Sequence, residues 1–389
     1  MERRASDPLA GSIPADANLA DGILAHGAAT PERPALVLDG RTVSYGTLRA
    51  RIAAMAASLR RSGLAPGARI ALAAADAEGS TVALLGATLA GFVVVPVAPD
   101  LPADERARLV ADLAIAETLT DATIPAMVEA GMGADAVRER APGGDALATV
   151  MLSSGTTGRP KAMAISHRRQ LWILRAANFA LDAVPADRYF AMISPSFAFG
   201  RNPMLRVLEV GGTVVRLPLP TDVREFAAMI AAARITDISA TPGHIRDLLA
   251  DWREERPALP GLKRLLVSTA FLHQSERLEA LRRISPRLHV CLGMNEVGFV
   301  AIARPEDLPR LPDTVGRAIP GVTVEVVDED GRPLPAGAIG ELRVAAPSLP
   351  DGYLDAPEAS RINFRSGWFH PGDLASLDAD GFLHLLGRV

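Results

Sequence analysis

Cysteine is almost missing from this chain, with one residue, Cys291, in 389. A single thiol excludes an intrachain disulfide framework and fits a reducing compartment. Its setting, His289-Val290-Cys291-Leu292, reads as a buried strand, so a core thiol is favoured over a nucleophile. No apolar run reaches the roughly 20 residues needed to span a bilayer. The start, Met1-Glu2-Arg3-Arg4, leads into polar and small residues and not into a signal-peptide apolar region. The formal net charge of −4 gives no electrostatic case for nucleic acid or an anionic membrane. These absences predict a cytoplasmic protein. Lysine is the other rarity: Lys161 and Lys263 stand against thirty-nine arginines, the remainder of 41 basic residues. Where arginine has otherwise replaced lysine, a lysine kept at 161 points to a need for a compact ammonium.

What is present is a soluble globular composition, 49% apolar and 22% charged, in a chain long enough for two or three packed units. Residues 1–17 read as a loose leader. Ser44 is placed to cap a helix running to about Ser62, with Leu48, Ile52, Met55, Ala56 and Leu59 on one face and Gly63 as the stop. Ala68–Ala75 and Phe92–Val97 read as buried strands, with helices over Thr81–Ala90 and Arg106–Leu113. Further on, helices are expected over Arg168–Leu181, Val223–Ala233, His244–Trp252 and Ser275–Arg283. Strands are expected over Tyr189–Ser194, Gly212–Leu217, Asp237–Thr241, Leu262–Thr269 and Leu288–Leu292. Alternating β and α elements with continuous apolar strands imply helix-covered, mainly parallel sheets. Four loops, 195–201, 241–246, 269–273 and 292–297, then fall at strand C-terminal ends, where open α/β sheets bind ligands. From about residue 314 the texture turns to short strands and turns, a hairpin meander or small barrel. The expected units are 18–150 and 151–310, two layered αβ subdomains, and 311–389, a small β-barrel-like subdomain.

The densest chemistry lies in Ser153-Ser154-Gly155-Thr156-Thr157-Gly158-Arg159-Pro160-Lys161, between two short apolar strands and ahead of a helix. The glycines let backbone N–H groups turn toward an anion, the four hydroxyls donate, and the lysine neutralises, which makes a site for phosphate oxygens. It is not a Walker A loop. That motif needs lysine directly after the second glycine and then Ser or Thr, whereas Arg159-Pro160 intervene here and Ala162 follows. An ordinary P-loop ATPase therefore fails on spacing.

This nonapeptide resembles the phosphate-binding signature of the adenylate-forming superfamily, which includes acyl-CoA synthetases, luciferases and peptide-synthetase adenylation domains. The likeness runs more weakly from about residue 18 to the end. Gly293-Met294-Asn295-Glu296 matches the segment that usually reads Tyr-Gly-x-Thr-Glu, with Leu292 in place of the tyrosine and Asn295 in place of the threonine. The resemblance implies that Glu296 binds Mg²⁺ on the nucleotide phosphates; a strand-end carboxylate facing a phosphate loop suits a cation that prefers oxygen ligands. Pro371-Gly372-Asp373 is similar to the Thr-Gly-Asp segment, whose aspartate accepts from both ribose hydroxyls, an arrangement that suits an acceptor-only carboxylate. Leu385-Leu386-Gly387-Arg388 resembles the segment before the interdomain hinge, whose arginine also contacts the ribose. Gly340-Glu341-Leu342 and Gly352-Tyr353 match family positions and look structural.

The acid pocket implied by the resemblance is lined by Phe197, Phe199, Gly200, Arg201 and His244, and by the loop around Ala270–His273. His244 and Arg201 could contact a polar acid, or could equally be capping or solvated; the phenylalanines read equally as core. Ala198 stands where amino-acid-activating relatives place an aspartate, which points away from an α-amino acid and toward an aryl or short- to medium-chain acyl acid. Ala270 and Phe271 are expected near the adenine, with Phe271 packing on it where the tyrosine is missing. Lys161 and the loop would hold the β- and γ-phosphates of ATP, with CoA or a carrier-protein pantetheine as acceptor. Relatives carry a further lid domain whose second lysine contacts the substrate carboxylate and the α-phosphate. No lysine follows Lys263 and the chain ends at Val389, so the expectation is a body without its lid that adenylates slowly. The competing expectation is an ATP- or acyl-AMP-binding protein without turnover, or one taking a lid in trans.

Overall fold

A computed structural model describes residues 7, 9, 11–133, 141–153 and 161–389. Helix α1 (Asp21–Ala29) leads to a hairpin, β1 (Pro34–Leu38) and β2 (Arg41–Ser44). Ser44 caps α2 (Tyr45–Arg60) as expected, its hydroxyl accepting the Thr47 N–H, and the Leu48–Leu59 face is buried. Next come β3 (Arg69–Ala73), α3 (Ala77–Ala90), β4 (Val93–Pro96), α4 (Ala103–Asp112), β5 (Ile115–Thr120) and α5 (Ile124–Gly131). Helix α3 starts earlier than its apolar spacing predicts because the Asp76 carboxylate caps it through the Gly79 N–H. Gly91, in the left-handed region, stops it. Strands β6 (Leu147–Ser153) and β7 (Lys161–Ser166) complete a five-stranded sheet ordered β5-β3-β4-β6-β7. It is parallel except for β7, which returns antiparallel along β6 and pairs Lys161 with Ser153.

The second sheet begins after α6 (His167–Ala180). In chain order it takes β8 (Arg188–Phe190), α7 (Ala198–Glu209), β9 (Thr213–Arg216), α8 (Val223–Ala232), β10 (Asp237–Ala240), α9 (Pro242–Asp251), β11 (Arg264–Val267), α10 (Gln274–Arg283) and β12 (Leu288–Met294). Strands β9, β8, β10, β11 and β12 lie parallel side by side, and β1 joins the β9 edge. Their apolar residues pack as Phe190, Val215, Ile238, Leu265 and Leu288 beneath Phe226, Ile245 and Ala280 of the covering helices.

From β13 (Gly298–Ala303) every pairing is antiparallel. The strands β14 (Thr314–Ala318), β15 (Thr323–Val327) and β16 (Ile339–Ala345) precede α11 (Pro357–Asn363). The short β17 (Phe364–Arg365) and β18 (Trp368–Phe369), then β19 (Asp373–Leu377) and β20 (Phe382–Arg388), follow it. Among the described residues these strands continue the second sheet to fifteen strands and do not close on themselves. The expected small barrel is thus an open antiparallel extension, with Val300, Val315, Leu342, Val344 and Leu383 as its core. The layered α/β architecture is as the alternation of elements predicts.

Three of the four expected loops are shorter, 241–246 because α9 already starts at Pro242. Residues 198–201 already belong to α7, and the 292–297 loop shrinks because β12 runs on to Met294 to pair with β13. None of the described helices is long and apolar enough to cross a membrane.

Candidate functional site

The loop residues Ser154, Gly155, Thr156, Thr157 and Gly158 lie outside the described residues. The strand ends that carry the loop are described, with Ser153 closing β6 and Lys161 opening β7 in register opposite it. Two segments remote in sequence come to this point. In the first, β12 turns into β13 through Asn295-Glu296-Val297, where the Asn295 amide donates to the Leu152 carbonyl at 3.3 Å. That bond ties the second sheet to the end of β6. Gly298, at φ +93°, closes the turn, and a Cβ there would meet Ile173 at 2.9 Å. In the second, residues 348–354 run from β16 to α11. Ser348 donates to the Val297 carbonyl at 2.7 Å, and the Leu354 N–H donates to the Ala162 carbonyl at 2.8 Å.

Tyr353 joins the two. Its hydroxyl donates to Glu296 Oε1 at 3.0 Å, and Lys161 Nζ lies 5.0 Å from the centre of its ring. Phe364 packs edge-on against the ring at 5.2 Å, and Met151, Met163 and Ile165 complete a small apolar cluster against which Ala198 packs. Glu296 is 8% exposed, and burial pushes its carboxyl above the usual range. Its own backbone N–H, the Tyr353 hydroxyl and the Lys161 charge pull the other way. Burial and the neighbouring Glu296 charge likewise raise the Tyr353 phenol, which stays a donor. No described residues form a group of three or more His, Cys, Asp or Glu able to hold a metal unaided. A lone carboxylate beside an ammonium fits a hard cation brought in on phosphate oxygens, the usual mode for Mg²⁺, and does not fit a resident transition metal.

Leu292, Gly293 and Met294 form the end of β12 with Gly293 exposed, and Ala270 and Phe271 lie exposed after β11. Thr269, between β11 and Ala270, holds φ +83°, an unusual conformation for a β-branched residue. The Phe271 ring stands 5.6 Å from the Arg277 guanidinium and edge-on to His273.

Four of the expected acid-pocket residues lie at the start of α7 and His244 at the start of α9. Phe197 is 60% exposed just ahead of α7, and Phe199 is half-buried in its first turn. Gly200 packs so closely that a Cβ would stand 2.1 Å from the Ser194 carbonyl. Arg201 is buried, donating to the Pro195 and Ser196 carbonyls at 3.1 Å, so it clamps the preceding loop and is not solvated. His244 closes a capping box with Thr241 at the start of α9. Asp373 and Arg388 lie opposite each other on β19 and β20 and form an ion pair at 2.7 Å, with Arg388 61% exposed.

Sequence reasoning passed over Tyr353 as structural. The signal it left was a single aromatic after Gly352, but its partner Glu296 lies 57 residues away.

The profile of a family described as AMP-binding enzyme matches residues 24–354. Phenyloxazoline synthase MbtB of Mycobacterium sp. (strain MCS) is 28% identical over 97% of this chain, which spans 34% of that protein's length. Indoleacetate–CoA ligase of Aromatoleum aromaticum (strain DSM 19018 / LMG 30748 / EbN1) is 26% identical over 95% of this chain and 78% of its own. Among solved structures, the crystal structure of VinN matches with a TM-score of 0.85 at 26% identity, covering 96% of this chain and 100% of that one.

Proposed function

Since the chain belongs to the family of AMP-binding enzymes, we propose that it activates an aryl or short- to medium-chain carboxylic acid with ATP and passes the acyl group to a thiol. The family is one of adenylate-forming ligases that use ATP and typically Mg²⁺. The observation that carries the reading is the convergence of Lys161 and Glu296 on Tyr353 at the exit of the Ser/Thr/Gly loop. A cation and an oxygen-donor carboxylate meet there, where two sheets are joined.

In this reading an oxygen of the acid's carboxylate attacks the α-phosphorus of ATP. The bond to the bridging oxygen breaks and pyrophosphate leaves. The thiol then attacks the acyl carbon of the acyl-AMP, and AMP departs. Hydroxide is a poor leaving group and AMP a good one, which is why the first step is needed. The protein's share is positioning and charge neutralisation. Lys161 and the loop would hold the β- and γ-phosphates. Glu296 would receive Mg²⁺, which when bound draws charge from the phosphate oxygens. Asp373, with Oδ1 already held by Arg388, would accept from the ribose. Leu292, Gly293, Met294, Ala270 and Phe271 would border the adenine, and Phe197, Phe199 and the α7 start would face the acid.

Ala198 supports an acid without an α-ammonium, because no carboxylate stands at that position to hold one. Likeness to an indoleacetate–CoA ligase supports an aryl acid and CoA as acceptor; a carrier-protein pantetheine offers the same thiol. The test is acid-dependent ATP–pyrophosphate exchange across aryl, short- and medium-chain acids. Exchange supported by an aryl or acyl acid and absent in Lys161→Ala is the expected result. Exchange supported only by α-amino acids would overturn the substrate class. ATP binding with no exchange for any acid would favour a binder without turnover.

A further inference from the structure

Lys161 and Glu296 are each placed by their own hairpin, yet neither is held by backbone alone. Tyr353 touches both, from a third segment. Its hydroxyl takes Glu296 Oε1 at 3.0 Å, so that one oxygen of the carboxylate is committed and its rotation is fixed. The face of its ring lies 5.0 Å from Lys161 Nζ, within the range of a cation–π contact. The ring is itself fixed. The Tyr353 N–H donates to Ser360 Oγ at 2.9 Å, the Ser360 hydroxyl also caps back to the Ala356 carbonyl at 2.9 Å, and Phe364 stands edge-on to the ring. The Leu354 N–H then pins the segment to β7 at Ala162, one residue beyond Lys161. A purely structural tyrosine would need none of this, since a phenylalanine fills the same apolar cluster of Met151, Met163 and Ile165. The hydroxyl's partner is a buried carboxylate, a contact stronger than a neutral hydrogen bond.

We propose that Tyr353 is a positioning residue that sets Glu296 and Lys161 relative to each other, so that carboxylate and ammonium meet the phosphates of one nucleotide in a fixed arrangement. The inference rests on the reading of Lys161 and Glu296 given above. It makes the α11 region, through Ser360, part of the machinery that orders the phosphate site.

The test is calorimetric titration of the full chain with ATP, in the presence and absence of Mg²⁺, which needs no turnover. Tyr353→Phe keeps the ring and removes the hydroxyl. It should leave Mg²⁺-free ATP affinity within about twofold and cut the gain conferred by Mg²⁺ about tenfold, the scale of one hydrogen bond to a charged group. Tyr353→Leu removes the ring face as well and should also weaken Mg²⁺-free binding, by about threefold. Ser360→Ala loosens the anchor without touching the ring and should lower the Mg²⁺ gain about two- to threefold. It carries the test should either Tyr353 variant fail to melt cooperatively. The inference is overturned if Tyr353→Phe and Ser360→Ala keep the parent's Mg²⁺ gain while Glu296→Gln and Lys161→Ala lose it. It is equally overturned if Tyr353→Phe weakens binding alike with and without Mg²⁺, the behaviour of a mere prop. If Glu296→Gln and Lys161→Ala themselves bind ATP and Mg²⁺ like the parent, the reading of the site fails instead.

Discussion

At the N-terminal ends of β8, β10 and β11, Arg264 lies between two buried carboxylates, donating to Asp237 and Asp187. Arg206 reaches Asp237 at 3.4 Å, and Lys263 reaches Asp187 at 3.2 Å. At the other end of the same sheet, past the C-terminus of β12, Glu296 is also buried, with the Tyr353 hydroxyl, its own backbone N–H and the Lys161 charge around it. Burial opposes ionisation at Asp237, yet Arg206 and Arg264 hold it below the usual carboxylate range. Burial also opposes ionisation at Glu296, and there its neighbours leave it raised. The difference lies in which neighbours win: two guanidinium groups outweigh burial at Asp237, and burial outweighs its neighbours at Glu296. The first cluster has its counter-charges within the fold, as a structural network must. The second sets a buried carboxylate whose pKa is raised close to Lys161 and Tyr353, the kind of perturbed group that marks a candidate site.

Removing one partner should show the contrast most strongly. Asp237→Ala leaves two buried guanidinium groups short of a carboxylate and should cost about 3–5 kcal/mol in urea unfolding. The ATP affinity of the remaining folded protein should stay unchanged. Were that affinity to fall with stability, the two ends would be one cooperative unit and the comparison would break. Lys161→Ala should do the reverse, lowering acid-dependent exchange about 10²–10³-fold, the typical loss of a charge-stabilising donor. Its urea midpoint should remain close to that of the parent.

His167 sharpens the closed side of the comparison. Because β7 runs antiparallel to β6, its last residue, Ser166, pairs with Leu147 at the end away from Lys161. His167 follows there, buried, with Nδ1 accepting the Leu19 N–H at 3.0 Å, and burial pulls its pKa down to about 4. The unfolded chain takes a proton near pH 6.5 and the folded one does not, so stability is complete above 6.5 and falls as pH drops toward 4. At about 1.4 kcal/mol per pH unit that gap is worth roughly 3 kcal/mol. His167→Asn, measured by urea unfolding at pH 7 and 4.5, should lose less stability on acidification than the parent. The smallest effects belong to the exposed pair. Asp373→Ala should weaken ATP binding about tenfold by titration, while Arg388→Ala should change stability by less than about 1 kcal/mol.

Much of this fold was legible in the residues. Ser44 and the spacing of Leu48, Ile52, Met55 and Leu59 locate α2 because cap and apolar stripe are both local signals. Helix α7 was not legible, since Pro195, Gly200 and Pro203 within nine residues mark a loop by composition. The fold overrides that signal by burying Gly200 against the Ser194 carbonyl and clamping the turn with Arg201. For the third unit the residues left a hairpin meander and a small barrel both open, and the described strands form the open arrangement. Turn spacing predicts antiparallel pairing but carries no information on whether the last strand meets the first. At the site, Lys161 and Glu296 stood out by residue type and position, whereas Tyr353 acquires meaning only through a partner brought to it by tertiary structure.

The most direct test of acid activation at the open end follows the oxygen atoms. The acid that supports pyrophosphate exchange, labelled with ¹⁸O in its carboxylate, is incubated with ATP, Mg²⁺ and a thiol acceptor, and the AMP is weighed by mass spectrometry. Attack on the α-phosphorus makes a carboxylate oxygen the bridging atom, so each AMP released should carry one ¹⁸O. Unlabelled AMP, or label appearing in inorganic phosphate with ADP as the product, would place the attack elsewhere and contradict the account.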